Sequence, residues 1–141
     1  MNGPSAGVIG IGVDIVENER MKESLDQWGG RFKDRVFLPE EQSYCESKAS
    51  GWRHYAGRFA VKEAVSKAFG TGIGEHIGWL DIEVLRDEQT GAPSVRLSDK
   101  AWKLASERGV KQVLVSLSHS HAFAVAQALL AGPVQSEEER I

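Results

Sequence analysis

One segment near the N-terminus is apolar over nearly its whole length, and it constrains the fold more than any other part of the sequence. Residues Gly7 to Val16 read GVIGIGVDIV, a run rich in β-branched side chains that predicts a buried strand. Alternation along a strand puts Gly10, Gly12 and Asp14 on the same face. Glycines leave room there for a ligand or another backbone to approach closely. Asp14 is therefore either part of a site or the cap of a helix that begins near Glu17.

The remaining sequence predicts an α+β domain. Apolar residues at helical spacing and helix-ending glycines alternate with short strand patterns, and no internal repeat or linker divides the chain. The predicted helices cover about residues 17–28, 39–50, 52–69 and 98–108, and the later strands cover 79–86, 94–97, 112–118 and 122–131. We expect the paired Gly29-Gly30 to end the first helix. The order strand, helices, hairpin, helix, hairpin is typical of α+β folds.

Length and composition exclude several classes of protein. At 141 residues the chain is too short for two ordinary domains, so we expect one domain over residues 1–132 and an acidic tail over 133–141. A net charge of -3 argues against a nucleic-acid binder, because neutralising phosphates requires a basic face. The longest apolar stretches fall short of the roughly 20 residues of a membrane helix. The N-terminus does not resemble a secretory signal, so we expect a cytoplasmic protein. The single cysteine, Cys45, excludes an internal disulfide and is more typical of packing than of catalysis.

Glu63 is the second acid that the pattern singles out. It lies within a predicted helix and shares a face with Phe59, Ala60 and Lys67 at spacings of three and four residues. Glu63 and Lys67 alone are typical of an ordinary ion pair across one helical turn. With Asp14, however, Glu63 offers two carboxylates from separate elements. Mg²⁺ usually takes one or two protein carboxylates and completes its shell with water and substrate phosphates. The pair therefore predicts a phosphate-bearing substrate.

Cations and glycines follow on the same helix. Arg58, Lys62 and Lys67 are all able to neutralise phosphate groups. The helix ends in the run GTGIG over residues 70–74, which follows a helix rather than a strand and so matches neither a dinucleotide-binding loop nor a P-loop. The run either ends the helix or presents backbone N–H groups to an anion.

His119 and His121 lie two residues apart at a polar corner between the last two predicted strands. Two histidines without a third protein ligand give weak support for a zinc site. His119 is expected either to donate a hydrogen bond to a phosphate or to be held by backbone groups of the turn.

Positive charge is concentrated between residues 20 and 36. This segment contains five basic residues and three acidic ones: Arg20, Lys22, Arg31, Lys33 and Arg35 against Glu23, Asp26 and Asp34. A surface of this kind suits an acidic partner.

Three segments together resemble the holo-acyl-carrier-protein synthases. They are GIGVDIVE over residues 10–17 followed by Arg20, RFAVKEA over 58–64 continuing through KAFGTGI over 67–73, and SLSHS over 116–120. The segments follow the order and spacing of that family and span the chain from about Gly7 to Leu130. The sequence departs from the family at Asn18, where an apolar residue is common.

The resemblance implies a magnesium-dependent transfer of 4'-phosphopantetheine from coenzyme A to a serine of apo-acyl carrier protein, in fatty acid biosynthesis. It also implies the phosphopantetheinyl transferase fold, with a mainly antiparallel sheet against a long central helix, and a homotrimer whose sites lie between subunits. Asp14 and Glu63 correspond to the metal ligands, and together with Lys67 they form the implied catalytic group. The residues implied to bind coenzyme A are Arg58, Lys62, Lys67, Gly70 and His119. Those implied to bind the carrier protein are Arg20, Arg31, Phe32 and Arg35.

Two other functions could use the same residues. A metal-dependent hydrolase of nucleotide pyrophosphates would activate a water instead of a serine. A non-catalytic module would bind coenzyme A or the carrier protein without turnover. The presence of both acids argues against the second function.

Overall fold

The computed structural model describes residues 6–133, which form five strands, four α-helices and one short 3₁₀ helix. The N-terminal residues 1–5 and residues 134–141 of the predicted acidic tail lie outside the described residues. In chain order the elements are β1 (Ala6–Glu17), α1 (Asn18–Val36), α2 (Pro39–Glu46), α3 (Gly51–Ala68), the 3₁₀ helix (Trp79–Asp81), β2 (Ile82–Arg86), β3 (Pro93–Leu97), α4 (Asp99–Glu107), β4 (Gln112–His119) and β5 (Phe123–Pro133). The predicted α+β class is confirmed.

Two antiparallel sheets make up the β structure. The larger has the order β1-β5-β4, and β2 pairs with β3 in a separate hairpin. Asp14 lies opposite Ala126 and Glu17 lies opposite Phe123, so the polar corner between β4 and β5 meets the end of β1. Ser98 caps α4 as its pattern predicts, because its hydroxyl accepts a hydrogen bond from the Ala101 N–H at 3.1 Å.

Helix α3 packs directly on the glycine face of β1. A Cβ added at Gly12 would overlap the carbonyl oxygen of Ala64, and one added at Gly10 would overlap that of Ala68. The opposing residues of β5 on this face are also small: Ala124, Ala126 and Ala128 are all buried. Small side chains on both sides let the helix backbone approach the sheet closely. The two glycines therefore make room for a helix, as one of the two readings of the sequence predicts.

The outer face of the same sheet is apolar and exposed. Ile11, Val13 and Ile15 of β1 are 60%, 58% and 60% exposed, and Leu114 and Val125 on the neighbouring strands are also exposed. The prediction that β1 is buried is therefore correct for only one of its faces in a single chain. A continuous apolar run cannot reveal whether the second face is covered by the same chain.

Helix α1 consists of two helical segments separated by the glycine pair that was expected to end the first of them. Gly29 has φ 53° and ψ -132°, which kinks the chain, and helical structure then resumes to Val36. The first helical segment therefore ends at the glycine pair as predicted, and the second segment, which runs on to Val36, was not predicted. Arg31, Phe32 and Arg35 consequently lie on a helix. None of the helices in the described part of the chain is long and apolar enough to cross a bilayer.

The contact between α3 and β1 predicts unequal effects of adding a methyl group to two glycines. Gly12→Ala should lower the free energy of unfolding by about 2–3 kcal/mol, because the methyl group has no room against the backbone of α3. Gly30→Ala is the matched control, since a Cβ there would meet nothing within 4 Å. Urea unfolding at one protein concentration measures both variants. Equal losses of stability would contradict this packing.

Candidate functional site

Asp14 and Glu63 line the same cavity, which has a volume of about 510 Å³. Asp14 comes from the inner face of β1 and Glu63 from α3, and the close contact of these two elements brings the acids together. The remaining wall is largely apolar. We call this space the acid cavity; its other lining residues are Ile15, Val16, Glu17, Arg20, Met21, Ser24, Phe32, Phe59 and Phe123.

Lys67 places a positive charge at the edge of the acid cavity. Its ammonium donates to the Asp14 carboxylate at 2.8 Å and to the Val13 carbonyl at 3.2 Å. Lys67 therefore forms its ion pair with Asp14 on β1 instead of with Glu63, one turn away on the same helix. The Asp14 carboxylate is occupied by this lysine and does not cap α1, whose N-cap residue Glu17 makes no side-chain capping bond.

Glu63 is held in an environment that disfavours its charge. Burial raises the pKa of its carboxyl group, the neighbouring negative charge of Asp14 raises it further, and Lys67 opposes both effects. A carboxyl group with a raised pKa is better able to take up a proton near neutral pH than an ordinary surface glutamate. Perturbed acids in a cavity are also characteristic of functional sites.

Arg58 and His119 lie in a second cavity of about 190 Å³, which we call the basic cavity. Its lining also includes His54, Arg86 and Tyr44, and none of the described residues that line it is acidic. The Arg58 guanidinium stacks over the Tyr44 ring at 4.1 Å. Its Nε is buried and has no hydrogen-bond partner among the described residues. This concentration of donors suits an anion such as a phosphate.

The surroundings of the two histidines in the basic cavity favour their neutral forms. Burial lowers the pKa of His119, and the charges of Arg53 and Arg58 lower it further. Burial likewise lowers the pKa of His54, followed by the charge of Arg58. An anion bound beside these rings would oppose the positive charges and favour protonation.

Gly57 creates the space that the His119 ring occupies. A Cβ at Gly57 would lie 2.8 Å from Cε1 of that ring. Glycine in a helix interior costs roughly 0.5–1 kcal/mol relative to alanine, so its presence in α3 was a signal of close approach that the sequence reasoning did not use. Tyr44, His54 and Arg86 were also missed as lining residues, because they are scattered along the chain and only the fold brings them together.

The structure corrects the prediction that Lys62 contacts coenzyme A. Its side chain is fully buried, and its ammonium donates to the Glu41 carboxylate at 2.8 Å and to the carbonyls of Trp79 and Ile82 at 2.9 and 2.8 Å. These three bonds use all three ammonium protons. Lys62 therefore joins α3 to α2 and the start of β2, and no donor is left for a phosphate.

The glycine run after α3 caps the helix. Gly70 has φ 79°, its N–H donates to the Lys67 carbonyl, and the N–H of Gly72 donates to the Ser66 carbonyl. The Gly74 N–H donates to Ile77. Of the two alternatives for this run, the structure favours the helix end over an anion site, because these three N–H groups are already paired. Gly70 lines a third cavity, of about 910 Å³, between the ends of α3, α4, β1 and β5.

The positively charged segment of α1 borders the acid cavity. Arg20 lines the acid cavity itself, whereas Trp28, Arg31 and Arg35 line a neighbouring depression of about 570 Å³. Phe32 belongs to both. Of the four residues expected to contact the carrier protein, two therefore line the cavity of the acids and the other two line the depression beside it.

Two other candidate residues lie away from the acids. Cys45 is buried, and burial is the main cause that raises the pKa of its thiol to about 12, which makes it a poor nucleophile. The Nδ1 atom of His121 faces Arg53 at 3.2 Å. Among the described residues, no group of three or more His, Cys, Asp and Glu side chains is arranged to hold a metal ion. Any metal at the two acids would therefore need ligands from a substrate or solvent.

Comparison with known proteins identifies the family of the chain. The 4'-phosphopantetheinyl transferase superfamily matches residues 10–126. A holo-[acyl-carrier-protein] synthase of Ruminiclostridium cellulolyticum is 47% identical over 121 residues, which covers 85% of this chain and 90% of the relative. The chain belongs to the holo-[acyl-carrier-protein] synthase family. The resemblance expected from the three sequence motifs is thereby confirmed.

Solved structures of family members share the fold. The holo-[acyl-carrier-protein] synthase of Neisseria meningitidis matches with a TM-score of 0.82 at 30% identity, covering 88% of this chain and 98% of that chain. The synthase of Helicobacter pylori, solved in complex with coenzyme A, matches with a TM-score of 0.75 at 32% identity, covering 85% and 98%. The single-domain α+β fold of the family is therefore the fold of this chain.

The electrostatics of the acid cavity predict opposite shifts of the Glu63 pKa in two variants. Asp14→Asn should lower it, because one of the two effects that raise it is removed. Lys67→Met should raise it, because the opposing positive charge is lost. Carboxyl-carbon NMR titration of Glu63 measures both shifts. A rise in Asp14→Asn, or a fall in Lys67→Met, would show that the two charges do not act on Glu63 in this way.

Proposed function

We propose that this chain transfers the 4'-phosphopantetheine group of coenzyme A to a serine of an apo-acyl carrier protein and releases adenosine 3',5'-bisphosphate, in fatty acid biosynthesis. The observation that carries the proposal is the pair Asp14 and Glu63 in one cavity, directly beside the basic surface of α1. Family membership supplies the reaction class. We place the reaction in the cytoplasm.

The donor set at Asp14 and Glu63 fits Mg²⁺. Two carboxylates face one cavity, and the negative charge of Asp14 raises the pKa of Glu63. A hard divalent cation prefers oxygen ligands, and its positive charge relieves the repulsion between two carboxylates. Mg²⁺ commonly takes only one or two protein carboxylates. When bound there, Mg²⁺ would polarise the phosphate oxygens of coenzyme A and neutralise charge during transfer.

The reaction needs a base for the serine hydroxyl, and Glu63 is suited to that role. The serine oxygen would attack the phosphorus that bears pantetheine, the pyrophosphate bond would break, and the proton would pass to Glu63 or to a water that Glu63 orients. Lys67 would hold Asp14 in place and offset the negative charge of the phosphates. The apolar wall of Met21, Phe59 and Phe123 would limit access of competing water.

The basic cavity is suited to the phosphates at the adenosine end of coenzyme A, but Arg58 and Glu63 point in different directions from α3. They are five residues apart, so their side chains leave the helix axis in directions that differ by about 140°. The lining residues of the two cavities accordingly do not overlap. We propose that the acid cavity of one chain is completed by the basic cavity of a neighbouring chain. Gly70 and Lys67 remain proposed contacts of coenzyme A; Lys62 does not.

The exposed outer face of the β1-β5-β4 sheet supports a homotrimer. Ile11 lies opposite Leu129, which lies opposite Leu114, so one apolar row crosses all three strands. Ile15 and Val125 form a second pair on this face. Soluble monomers rarely expose an apolar face of this extent, because contact with another chain would remove it from water. Three copies packed through this face would bring neighbouring cavities together.

Arg20, Arg31, Phe32 and Arg35 form the proposed docking surface for the carrier protein. The arginines offer positive charge to an acidic partner, and Phe32 offers an apolar contact at the entrance to the acid cavity. A carrier protein docked here could present its serine to Glu63.

Intact-mass measurement tests the transfer. Apo-acyl carrier protein incubated with coenzyme A, Mg²⁺ and the enzyme should gain one phosphopantetheine group, and a chelator should prevent this gain. Glu63→Gln should lower kcat by about 10²–10⁴-fold, the usual contribution of a general base. Glu88→Gln, which changes an exposed acid in the turn between β2 and β3, is the control and should leave kcat unchanged. Release of free phosphopantetheine would instead indicate a hydrolase, and no mass gain with any apo carrier protein would contradict the proposal.

The sheet face predicts a specific change of oligomeric state. Light scattering after size exclusion should give about 47 kDa for three chains of 15.5 kDa. Ile11→Glu should give monomers, because it places a charge in the proposed interface. Leu80→Glu is the matched control, since Leu80 is 45% exposed but lies on the 3₁₀ helix outside the sheet. A trimer that persists in Ile11→Glu, or one that is lost equally in both variants, would argue against this interface.

Charge reversal tests the docking surface. Arg35→Glu should raise the KM for the carrier protein by about tenfold and leave the KM for coenzyme A within about twofold, because the arginine faces only the protein substrate. Lys103→Glu makes a similar charge change on α4 and should alter neither constant. Similar rises of both constants in Arg35→Glu would count against the proposed surface.

A further inference from the structure

Asn18 is a buried polar residue at the junction between β1 and α1. Its side chain is 1% exposed, and its Oδ1 has no hydrogen-bond partner among the described residues. Such a group is costly, so its presence calls for a compensating role. The NH₂ group of the same amide has such a role. Nδ2 donates to the carbonyls of Ser120 and His121 at 3.2 and 3.0 Å, across more than 100 residues of chain.

The backbone of Asn18 adds a third bond to the same corner. Its N–H donates to the Ala122 carbonyl at 2.9 Å. Asn18 therefore binds three consecutive carbonyls in the connection between β4 and β5. The amide orientation follows from these contacts, because carbonyl oxygens only accept hydrogen bonds and so must face the NH₂ group.

The corner that Asn18 binds is exposed to solvent. Residues 119–122 are all exposed, and the connection is closed by the Ser120 N–H, which donates to the Phe123 carbonyl at 2.8 Å. Exposed connections with few buried contacts open readily. Asn18 holds the connection between β4 and β5 in place through its hydrogen bonds from the protein interior.

The residues on either side of the corner belong to the two cavities. His119 lines the basic cavity, and Phe123 lines the acid cavity. Asn18 touches neither cavity; it binds the segment that connects them. A change in the corner would therefore move a phosphate-binding side chain and a wall of the acid cavity together.

We propose that Asn18 is a positioning residue that acts through the 120–122 corner to hold His119 where the phosphates of coenzyme A bind. The proposal rests on the proposed function for its kinetic test, but its structural part is independent of turnover. Loss of the amide releases the corner, weakens coenzyme A binding, and leaves docking of the carrier protein on α1 unchanged.

The kinetic test compares Asn18→Leu with Gln42→Leu, using the full-length chain with coenzyme A and apo-acyl carrier protein. Gln42 is the matched control. Its side-chain amide also donates to a backbone carbonyl, that of Phe37 at 3.0 Å, but it lies on α2 and does not contact the corner between β4 and β5. Asn18→Leu should raise the KM for coenzyme A by about five- to tenfold while the KM for the carrier protein stays within about twofold. Gln42→Leu should change neither. An unchanged KM for coenzyme A in folded Asn18→Leu overturns the proposal.

A double-mutant cycle separates positioning from general loss of structure. If Asn18 acts through His119, adding Asn18→Leu to His119→Ala should raise the KM for coenzyme A by no more than about twofold. If the two substitutions instead raise the KM for coenzyme A by independent factors that multiply in the double variant, the proposal is overturned. Should Asn18→Leu fail to fold, Asn18→Asp enters the same cycle; it keeps the size of the side chain but replaces the donating NH₂ with a carboxylate oxygen.

Hydrogen exchange tests the structural part without any reaction. The backbone amides of Ser120 and Phe123 should exchange at least about tenfold faster in the Asn18 variant than in wild type or Gln42→Leu. Wild-type exchange rates at both amides would overturn the proposal. A wild-type enzyme that transfers nothing would overturn the proposed function instead, and the exchange experiment would still decide the role of Asn18.

Discussion

The close contact between the backbone of α3 and the glycine face of β1 determines the geometry of the site. Because Gly10 and Gly12 carry no side chains, the carbonyls of Ala68 and Ala64 approach the strand directly. The next residue on that strand face is Asp14, and the C-terminal half of α3 carries the half-buried Glu63 and the exposed Lys67. The same contact thus packs the core and brings the two acids and their lysine together.

Helix α3 divides its charged residues among different surroundings. Glu63 faces the acid cavity, Arg58 faces the basic cavity, and Lys62 is buried against Glu41. Burial lowers the pKa of Lys62 while Glu41 opposes that effect, and breaking a buried pair of this kind commonly costs about 3–5 kcal/mol. One helix therefore supplies an acid, the arginine of a proposed anion site and a structural ion pair. Their separation within one chain is the physical reason for proposing that neighbouring chains share a site.

Much of this arrangement follows from local sequence patterns. Strand β1, helix α3 and the two acids were predictable, because apolar periodicity and the position of an acid within it are local properties. The role of Lys62 was not predictable, because its partner Glu41 lies on another helix and a lysine facing phosphate has the same local pattern. The helical segment that follows the kink at Gly29 was missed, because a glycine pair ends a helix without showing whether another begins directly after it. Asn18 stood out only as a departure from the family pattern, because its contacts with the corner between β4 and β5 are made by residues more than 100 positions away.

The most direct test of the account is subunit complementation. Glu63→Gln removes the proposed base from the acid cavity, and the double variant Arg58→Ala/His119→Ala removes donors from the basic cavity. Each protein alone should be nearly inactive at low coenzyme A concentration. In trimers assembled at random from equal amounts of the two variants, the acid cavity is intact in half of the chains and the basic cavity in the other half. Roughly a quarter of the shared sites should therefore combine two intact cavities and be active. Activity that stays at the average of the two separate proteins would contradict a site shared between subunits.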